Sequence, residues 1–339
     1  MKFAITADIH LSRYGQDPIN HESGLPERLH GIVHALDSMV THCLENDIST
    51  LVIGGDILHG KSIIYALAQN IMLEFFNEYK NMNFWVIDGN HDLSGKGDDA
   101  VSALRSLKSV PNVEWVTKEP KRQDNILFIP YSTKVADQVK HRSADILISH
   151  FGLSEGILNS GISIVSKINM TDLRSRYKLA LLGHYHKPQE IIEKDVSMYY
   201  VGSPTQLDWG EKGDKKRFLI VDTDTLKVES VLTKGYKKFI EVELTSKNKE
   251  EAMKMAKDAY DRGDYIKVLQ TEKVDISGFE DYNVIDKTET DVTDRGITST
   301  MSQKEKLERY LEIKEIPENQ IQEYLEIGLQ IIDACEVNQ

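Results

Sequence analysis

Residues 1 to about 235 predict an α/β domain, and three observations carry that prediction. Apolar runs of four to six residues recur along the stretch, each short enough for a buried strand. Helical stretches alternate with them, as an α/β layer architecture requires. Glycine and polar side chains gather just past the ends of several runs, where chains turn. The strands read in order as Lys2–Thr6, Thr50–Ile53, Phe84–Ile87, Ile126–Ile129, Ile146–Ser149, Leu179–Leu182, Met198–Val201, Phe218–Asp222 and, after a turn at Asp224–Lys227, Val228–Leu232.

Between the second and third strands, Lys61–Lys80 predicts a helix. Ile63, Ile64, Leu67, Ile71, Met72, Leu73, Phe75 and Phe76 cover more than one stripe of it. Such a helix either packs into the core or also forms a subunit interface. After residue 236 the pattern becomes α+β, with strands at Phe239–Leu244, Tyr265–Gln270 and Tyr282–Lys287 and an amphipathic helix at Lys249–Arg262. Residues 288–302 are polar and rich in Thr, Ser and Asp, a linker composition. A helix at Gln303–Ile313 and a second after Pro317 close the chain. The division expected is therefore 1–235, a small unit at 236–287, a linker at 288–302 and a helical tail at 303–339.

The chain has 339 residues, with 41 Lys and Arg against 54 Asp and Glu, a net charge of −13. That balance argues against a protein that passively coats nucleic acid. No apolar run reaches the roughly 18–20 residues needed to span a bilayer, and the start does not read as a secretory signal. The two cysteines, Cys43 and Cys335, lie far apart without metal-type spacing and read as buried thiols of a reducing compartment. Charge is uneven: residues 302–339 are net −5, and residues 212–238, with eight Lys and Arg against four acids, are net +4.

The chemistry sits at the strand ends. Asp8 and His10 follow the first strand, and Gly54-Gly55-Asp56 with His59 follows the second. Gly89-Asn90-His91-Asp92 follows the third, His150 ends the run Ile146–Ser149, and Gly183-His184-Tyr185-His186 follows Leu179–Leu182. Sites of open α/β sheets form at the carboxyl ends of strands, so five clusters in that position point to one site. Carboxylate, imidazole and amide oxygen suit divalent cations such as Mn²⁺, Fe²⁺ or Zn²⁺, and no cysteine stands among them as it would at a structural zinc. Asp56, central in the order, is the candidate to bridge two ions through its two oxygens. Two ions roughly 3.5–4 Å apart suit in-line displacement at phosphorus.

The set DxH, GDxxH, GNHD, a strand-end His and GHxH, in this order, resembles the calcineurin-like metallophosphoesterase family over residues 1 to about 235. The resemblance implies a two-sheet αββα sandwich with a small α+β cap domain and a helical C-terminal tail. It implies one ion held by Asp8, His10, Asp56 and His186, a second by Asp56, Asn90, His150 and His184, and His91 as a catalytic histidine that is not a ligand. Protein phosphatases of the superfamily read GDxxDRG and GNHE, from which this chain departs at both motifs. It is closer to the SbcD-like DNA repair nucleases, with a layout near that of the phage recombination endonuclease subunits. That group implies a metal-dependent DNA endo- and exonuclease, two divalent ions (Mn²⁺, with Mg²⁺ the alternative), a coiled-coil ATPase partner bound through the tail, and a cytoplasmic site of action, the host cytoplasm if phage-encoded. It also implies a homodimer joined through helices at Lys61–Lys80 and in the region Asp98–Leu107. A phosphatase or small-molecule phosphodiesterase on the same site, and a silent scaffold, are the competing readings.

The remaining candidates keep two readings each. His59 either orients His91 or packs in its loop. Lys215, Lys216 and Arg217, in the +4 segment, either contact substrate phosphates or form a solvated hairpin face. Asp92 reads as fixing its loop, and Asp208 and Trp209 as lying on the substrate side. In the tail, Leu307, Tyr310 and Leu311 share one helical face, and Ile321, Tyr324, Leu325, Gly328, Ile332 and Cys335 another. Helices this short need something to dock on, either their own domain or a partner.

Overall fold

The computed structural model describes residues 1–60, 63–95, 97–288, 301–314, 316–317, 320–322, 324–325 and 328. The chain divides into two compact units, Met1–Ile240 with Arg262–Tyr265, and Glu241–Asp261 with Ile266–Gln339.

The first unit is built on two six-stranded sheets. Its elements in chain order begin with β1 (Lys2–Thr6), α1 (Glu27–Glu45), β2 (Thr50–Ile53), α2 (Ala66–Glu78) and β3 (Asn83–Ile87). A small hairpin of β4 (Leu93–Ser94) and β5 (Val101–Ser102) follows, then β6 (Val113–Val116), β7 (Lys121–Gln123), β8 (Ile126–Ile129), α3 (Val135–Lys140) and β9 (Ile146–His150). The unit continues with α4 (Met170–Leu173), β10 (Leu179–Gly183), β11 (Gln189–Glu193), β12 (Val196–Tyr200), β13 (Arg217–Asp222) and β14 (Val228–Leu232). One sheet has the order β14-β13-β1-β2-β3-β6, the other β11-β12-β10-β9-β8-β7. Within the first, β1, β2, β3 and β6 run parallel, and within the second β8, β9, β10 and β12 do.

Strand alternation assigns the layers. Phe3 and Ile5 of β1 join Val52, Ile87, Phe128, Ile146, Ile148, Leu179 and Leu181 in a core between the sheets, whereas Ala4 faces α1 and α2. Trp85 stacks on Phe128 across this core, with ring centroids 4.7 Å apart. Helix α1 buries Leu29, Ile32, Leu36, Met39, Val40 and Cys43 at helical spacing against the first sheet. A third cluster, including Val139, Met170 and Leu173, packs α3 and α4 on the far side of the second sheet. The result is an α/β sandwich, helices flanking two mixed sheets.

The structure differs from the sequence reading in places. Helix α2 starts at Ala66, after an extended Tyr65, and the Ile63 carbonyl lies against Gly60; residues 61 and 62 lie outside the described set. Its Ala68, Ile71, Met72, Phe75 and Phe76 are core, while Ile63 and Tyr65 before it and Leu67 in its first turn stay exposed. The region Asp98–Leu107 holds no α-helix. Ser102 caps a 3₁₀ segment at Ala103–Ser109, accepting from the Leu104 N–H at 3.1 Å.

The second unit carries most of a three-stranded sheet, β15 (Phe239–Leu244), β16 (Tyr265–Gln270) and β17 (Asn283–Asp286), of which Phe239, Ile240 and Tyr265 belong to the first unit, with α5 (Lys249–Asp261) and α6 (Gln303–Ile313). Helix α5 buries a stripe of Ala252, Ala256 and Ala259. Ser302 and Glu305 form a reciprocal capping box that starts α6. Leu307 of α6 lies against Gly328, and Leu311 and Leu325 are buried, whereas Tyr310, Ile313 and Tyr324 remain 43, 38 and 45% exposed. Of the other expected tail and linker positions, residues 289–300, Ile332 and Cys335 lie outside the described residues. Among the described residues, no helix is long and apolar enough to cross a membrane.

Candidate metal centre

The carboxyl ends of β1, β2, β3, β9 and β10 deliver Asp8, His10, Asp56, Asn90, His150, His184 and His186 into one cluster of the first unit. The backbone is bent to do this. Asp8, His10, Asp56 and His184 all have left-handed φ, at 56°, 54°, 54° and 97°. Such positions in non-glycine residues cost about 1–3 kcal/mol each and concentrate at functional sites. Gly55, at φ 94°, passes so close to His150 that a Cβ would sit 2.5 Å from Nδ1. At Gly89 a Cβ would overlap the Asp56 carboxylate.

The candidate ligand atoms face one another at short range. His186 Nδ1 lies 2.8 Å from Glu211 Oε1, so that nitrogen carries the proton and Nε2 presents a lone pair. That Nε2 lies 3.0 Å from His10 Nε2. His150 Nδ1 donates to the Gly54 carbonyl at 2.9 Å, so its Nε2 faces two acceptors, Asp56 Oδ2 at 3.3 Å and Asn90 Oδ1 at 3.1 Å. Asn90 Oδ1 is also 2.8 Å from His184 Nδ1. Imidazole nitrogens, carboxylate oxygens and an amide oxygen gathered at this spacing fit divalent cations.

Asp56 sits between the two donor groups. Its Oδ1 accepts the His91 N–H at 2.7 Å. Oδ2 alone faces both sides, 3.7 Å from His10 Nε2 and 3.3 Å from His150 Nε2. Oδ2 is therefore the Asp56 oxygen that both groups could share if ions were bound, while Oδ1 is engaged by the peptide of His91.

Burial and charge set the ionisation. Burial would push the His150 imidazole down, but Asp56 first and Asp8 after it outweigh that and hold it up at about 9. Burial, with His150 beside it, takes His184 down to about 3. Burial would raise Asp56, yet His150 and His10 hold its carboxylate well below the usual range. Asp92 is fully buried and is pushed up to about 8, by burial first and then by Asp56. It accepts the Leu58 and Gly89 N–H groups, both at 2.9 Å, and so ties the loop after β2 to the loop after β3, as read.

His91 flanks Asn90 and lies 4.8 Å from His10 between ring centroids, edge to face. Its Nδ1 donates to the His59 carbonyl at 2.7 Å, leaving Nε2 free. The backbone of His59 thus orients His91, while the His59 ring stacks on it and places Nδ1 3.3 Å from His10 Nδ1.

The +4 segment is not a uniform basic face. Lys216 is buried: its Nζ pairs with Glu211 Oε2 at 2.7 Å and Asp214 Oδ2 at 3.2 Å, and donates to the His186 carbonyl at 2.9 Å. With no surface to offer, it cannot meet a substrate phosphate, and that expectation is corrected. Arg217 is half-buried, donating to the carbonyls of Gln189 and Tyr200. Of the three, Lys215 is exposed. Asp208 caps the short turn Trp209–Glu211 through the Gly210 N–H, and Trp209 packs on Phe239.

Sequence reading missed the role of Glu211. Its Oε1 holds His186, and its Oε2 accepts from Ser203 Oγ, the Leu207 N–H and Lys216 Nζ. The signal was a carboxylate closely followed by a lysine, just after the last ligand motif. A carboxylate behind a metal-binding histidine fixes its tautomer and orientation.

A family model described as calcineurin-like phosphoesterase matches residues 1–209. The chain is 24% identical over 249 residues to "Exonuclease subunit 1" of Enterobacteria phage T4, an alignment covering 68% of this chain and 67% of that protein. Among solved structures, it resembles an archaeal phosphodiesterase at 13% identity and TM-score 0.37, covering 68% of this chain and 99% of that one. It also resembles the Pseudomonas putida nuclease MPE at 15% identity and TM-score 0.32, covering 67% and 86%.

Proposed function

The chain belongs to the calcineurin-like phosphoesterase family, and on that premise we propose that it is a DNA nuclease, hydrolysing phosphodiester bonds with two divalent ions, Mn²⁺ first. The observation that carries the reading is Asp56 Oδ2, one carboxylate oxygen set between His10 on one side and His150 on the other. His10, His186, Asp8 and Asp56 would hold one ion, and Asp56, Asn90, His150 and His184 the other. Bound ions at such a site neutralise phosphate charge and lower the pKa of water. His91 supplies what the ligands cannot. Its Nδ1 is committed to the His59 carbonyl, so Nε2 is the atom that hands a proton to the departing sugar oxygen while the P–O bond breaks. The similarity to a protein named an exonuclease subunit favours DNA over a small phosphate ester. The GDxxH and GNHD motifs, unlike those of protein phosphatases, favour it too.

The same resemblance supports a partner. Residues 236–287 would form a cap and 303–339 a helical arm that docks on a coiled-coil ATPase, with exposed Tyr310, Ile313 and Tyr324 as its apolar contacts. Homodimerisation would use Ile63, Tyr65 and Leu67, exposed at the start of α2. The test compares Mn²⁺-dependent release of nucleotides from linear duplex and single-stranded DNA with turnover of p-nitrophenyl phosphate and bis-p-nitrophenyl phosphate. DNA and the diester should be cut. Turnover of the monoester alone would replace a nuclease with a phosphatase.

A further inference from the structure

A second concave surface lies at the opposite end of the second sheet from the metal centre. Asn125, Asp145, Lys178 and Asp195 immediately precede β8, β9, β10 and β12, which all run parallel, and together they line a cleft of about 870 Å³. His150 and Gly183 close the other ends of β9 and β10. Five-residue strands put the two edges roughly 16 Å apart, at about 3.3 Å per residue.

The cleft is cationic in a chain of net charge −13. Arg122, Arg174, Arg176 and Lys178 line it against two acids, Asp145 and Asp195. Arg122 is tied to the Ser143 carbonyl and Lys178 to Asp145. Arg174 and Arg176 have no carboxylate partner among the described residues, and neither has Arg142, which is exposed beside the cleft, just before the lining residues Ser143 and Ala144. The backbone displays them. After α4 the chain turns through Ser175, at a left-handed φ of 63°, and the Arg176 carbonyl accepts the Ala144 N–H at 3.0 Å, pinning the lip to the neighbouring loop. Tyr177 lies buried behind it with its hydroxyl on the Val139 carbonyl; burial raises the phenol to about 12, against the opposing charges of Arg176, Arg142 and Arg122. Arg174 and Arg176 thus bring two guanidinium groups without carboxylate partners to one cleft, where an anion would offset their like charge. Their planar forks match phosphate oxygens in a way that lone ammonium groups do not.

We propose that this cleft is a second nucleic-acid contact, gripping the phosphodiester backbone of a strand through Arg142, Arg174 and Arg176 at a distance from the metal centre. The inference rests on the nuclease reading and adds to it. A strand held here reaches past the scissile bond, so the cleft favours long substrates and is indifferent to short ones. An acidic protein segment is the competing occupant.

The test is the full chain carrying R142A, R174A and R176A together, beside the charge-keeping triple R142K, R174K and R176K. Wild-type binding to a 40-nucleotide single strand decides the nuclease reading first; no binding there removes both proposals together. With wild-type binding present, the alanine triple should flatten the slope of log affinity against log salt by about 2, at about 0.7 for each phosphate of a single strand that is no longer neutralised. The lysine triple should keep most of the slope, and bis-p-nitrophenyl phosphate turnover should be unchanged in both, since neither touches the ligands. Equal thermal unfolding midpoints exclude a folding effect. An alanine triple with the wild-type slope overturns the proposal; if it has also lost binding to poly-glutamate, the cleft belongs to an acidic partner instead.

Discussion

Replacing Glu211 by glutamine separates two tasks that one carboxylate performs. Oε1 holds His186 Nδ1 at 2.8 Å, and Oε2 balances Lys216 Nζ at 2.7 Å. Glutamine keeps the shape but offers one acceptor oxygen where two are used, and its amide group then points at a donor, His186 Nδ1–H or the Lys216 ammonium. Lys216 is 1% exposed and keeps only Asp214 as a counter-charge, so the buried ion pair is broken from one side, at a cost of about 3–5 kcal/mol. His186 loses the group that fixes its tautomer, which for such a carboxylate weakens metal binding about 10–100-fold. The double variant Glu211→Gln with Lys216→Met removes the stranded charge and should recover most of the stability but none of the metal affinity. Urea unfolding measures the first and Mn²⁺ titration calorimetry the second. The pH dependence has a definite sign. Burial would raise the Glu211 carboxyl, but His186 and Lys216 together hold it below its ordinary value. A depressed carboxylate contributes stability above its unfolded pKa of about 4.3, and that stability disappears as pH falls through the folded value. Wild type should therefore lose more stability than the double variant on acidification below about pH 4. Unchanged Mn²⁺ affinity in Glu211→Gln would refute the reasoning.

Three further outcomes test the rest of the site and the chain. Asp56→Ala should weaken both ions and His186→Ala mainly one, as elemental analysis after Mn²⁺ loading reads directly; a single ion in saturated wild type would end the two-ion account. His91→Leu should retain both ions and lose about 10²–10⁴ in DNA cleavage, the usual contribution of a positioned acid; near wild-type rates would remove it from the mechanism. Truncation after Thr300 should abolish co-purification with a coiled-coil ATPase and leave Mn²⁺-dependent cleavage of single strands, whereas retained partner binding would discard the tail as the docking arm.

How far the sequence is legible depends on what each element is made of. β1, β2, β8, β14, β15 and β16 coincide with their predicted ranges, because apolar or alternating runs there are bounded by polar and turn residues. The edge strands Lys121–Gln123 and Gln189–Glu193 are mostly polar, half-exposed and held by pairing to a neighbour, so no hydrophobic pattern announces them. Helix α1 carries a helical period from Leu29 to Cys43 that would have named it. At the site, residue type and strand-end position suffice to choose the donors, since both are local properties. They do not say which Asp56 oxygen is free, because that depends on a peptide N–H thirty-five residues away. Lys216 misleads for a related reason: a run of positive charge specifies sign, and only the tertiary position of Glu211 specifies burial.

The candidate ligands are also held by one another's loops, which bears on how single substitutions there are read. The peptide N–H of His184, after β10, binds both oxygens of Asp8, after β1, at 3.0 and 3.1 Å. The N–H of His91, after β3, binds Asp56, after β2. Asp92, after β3, takes the Leu58 N–H, after β2, and His150 at the end of β9 donates to the Gly54 carbonyl. Each of these bonds crosses from one strand end to another, and the Asp8–His184 and His150–Gly54 bonds also cross between the sheets. The left-handed positions at Asp8, His10, Asp56 and His184 are held by this lattice, so removing a carboxylate frees backbone as well as a donor. Groups that share a network couple non-additively, by about 0.5–3 kcal/mol. An alanine at Asp8 or Asp56 therefore reports the loss of a loop clasp together with the loss of a ligand. Substitution at His186, whose side chain clasps no neighbouring ligand loop and leans on Glu211, comes nearer to reporting metal binding alone.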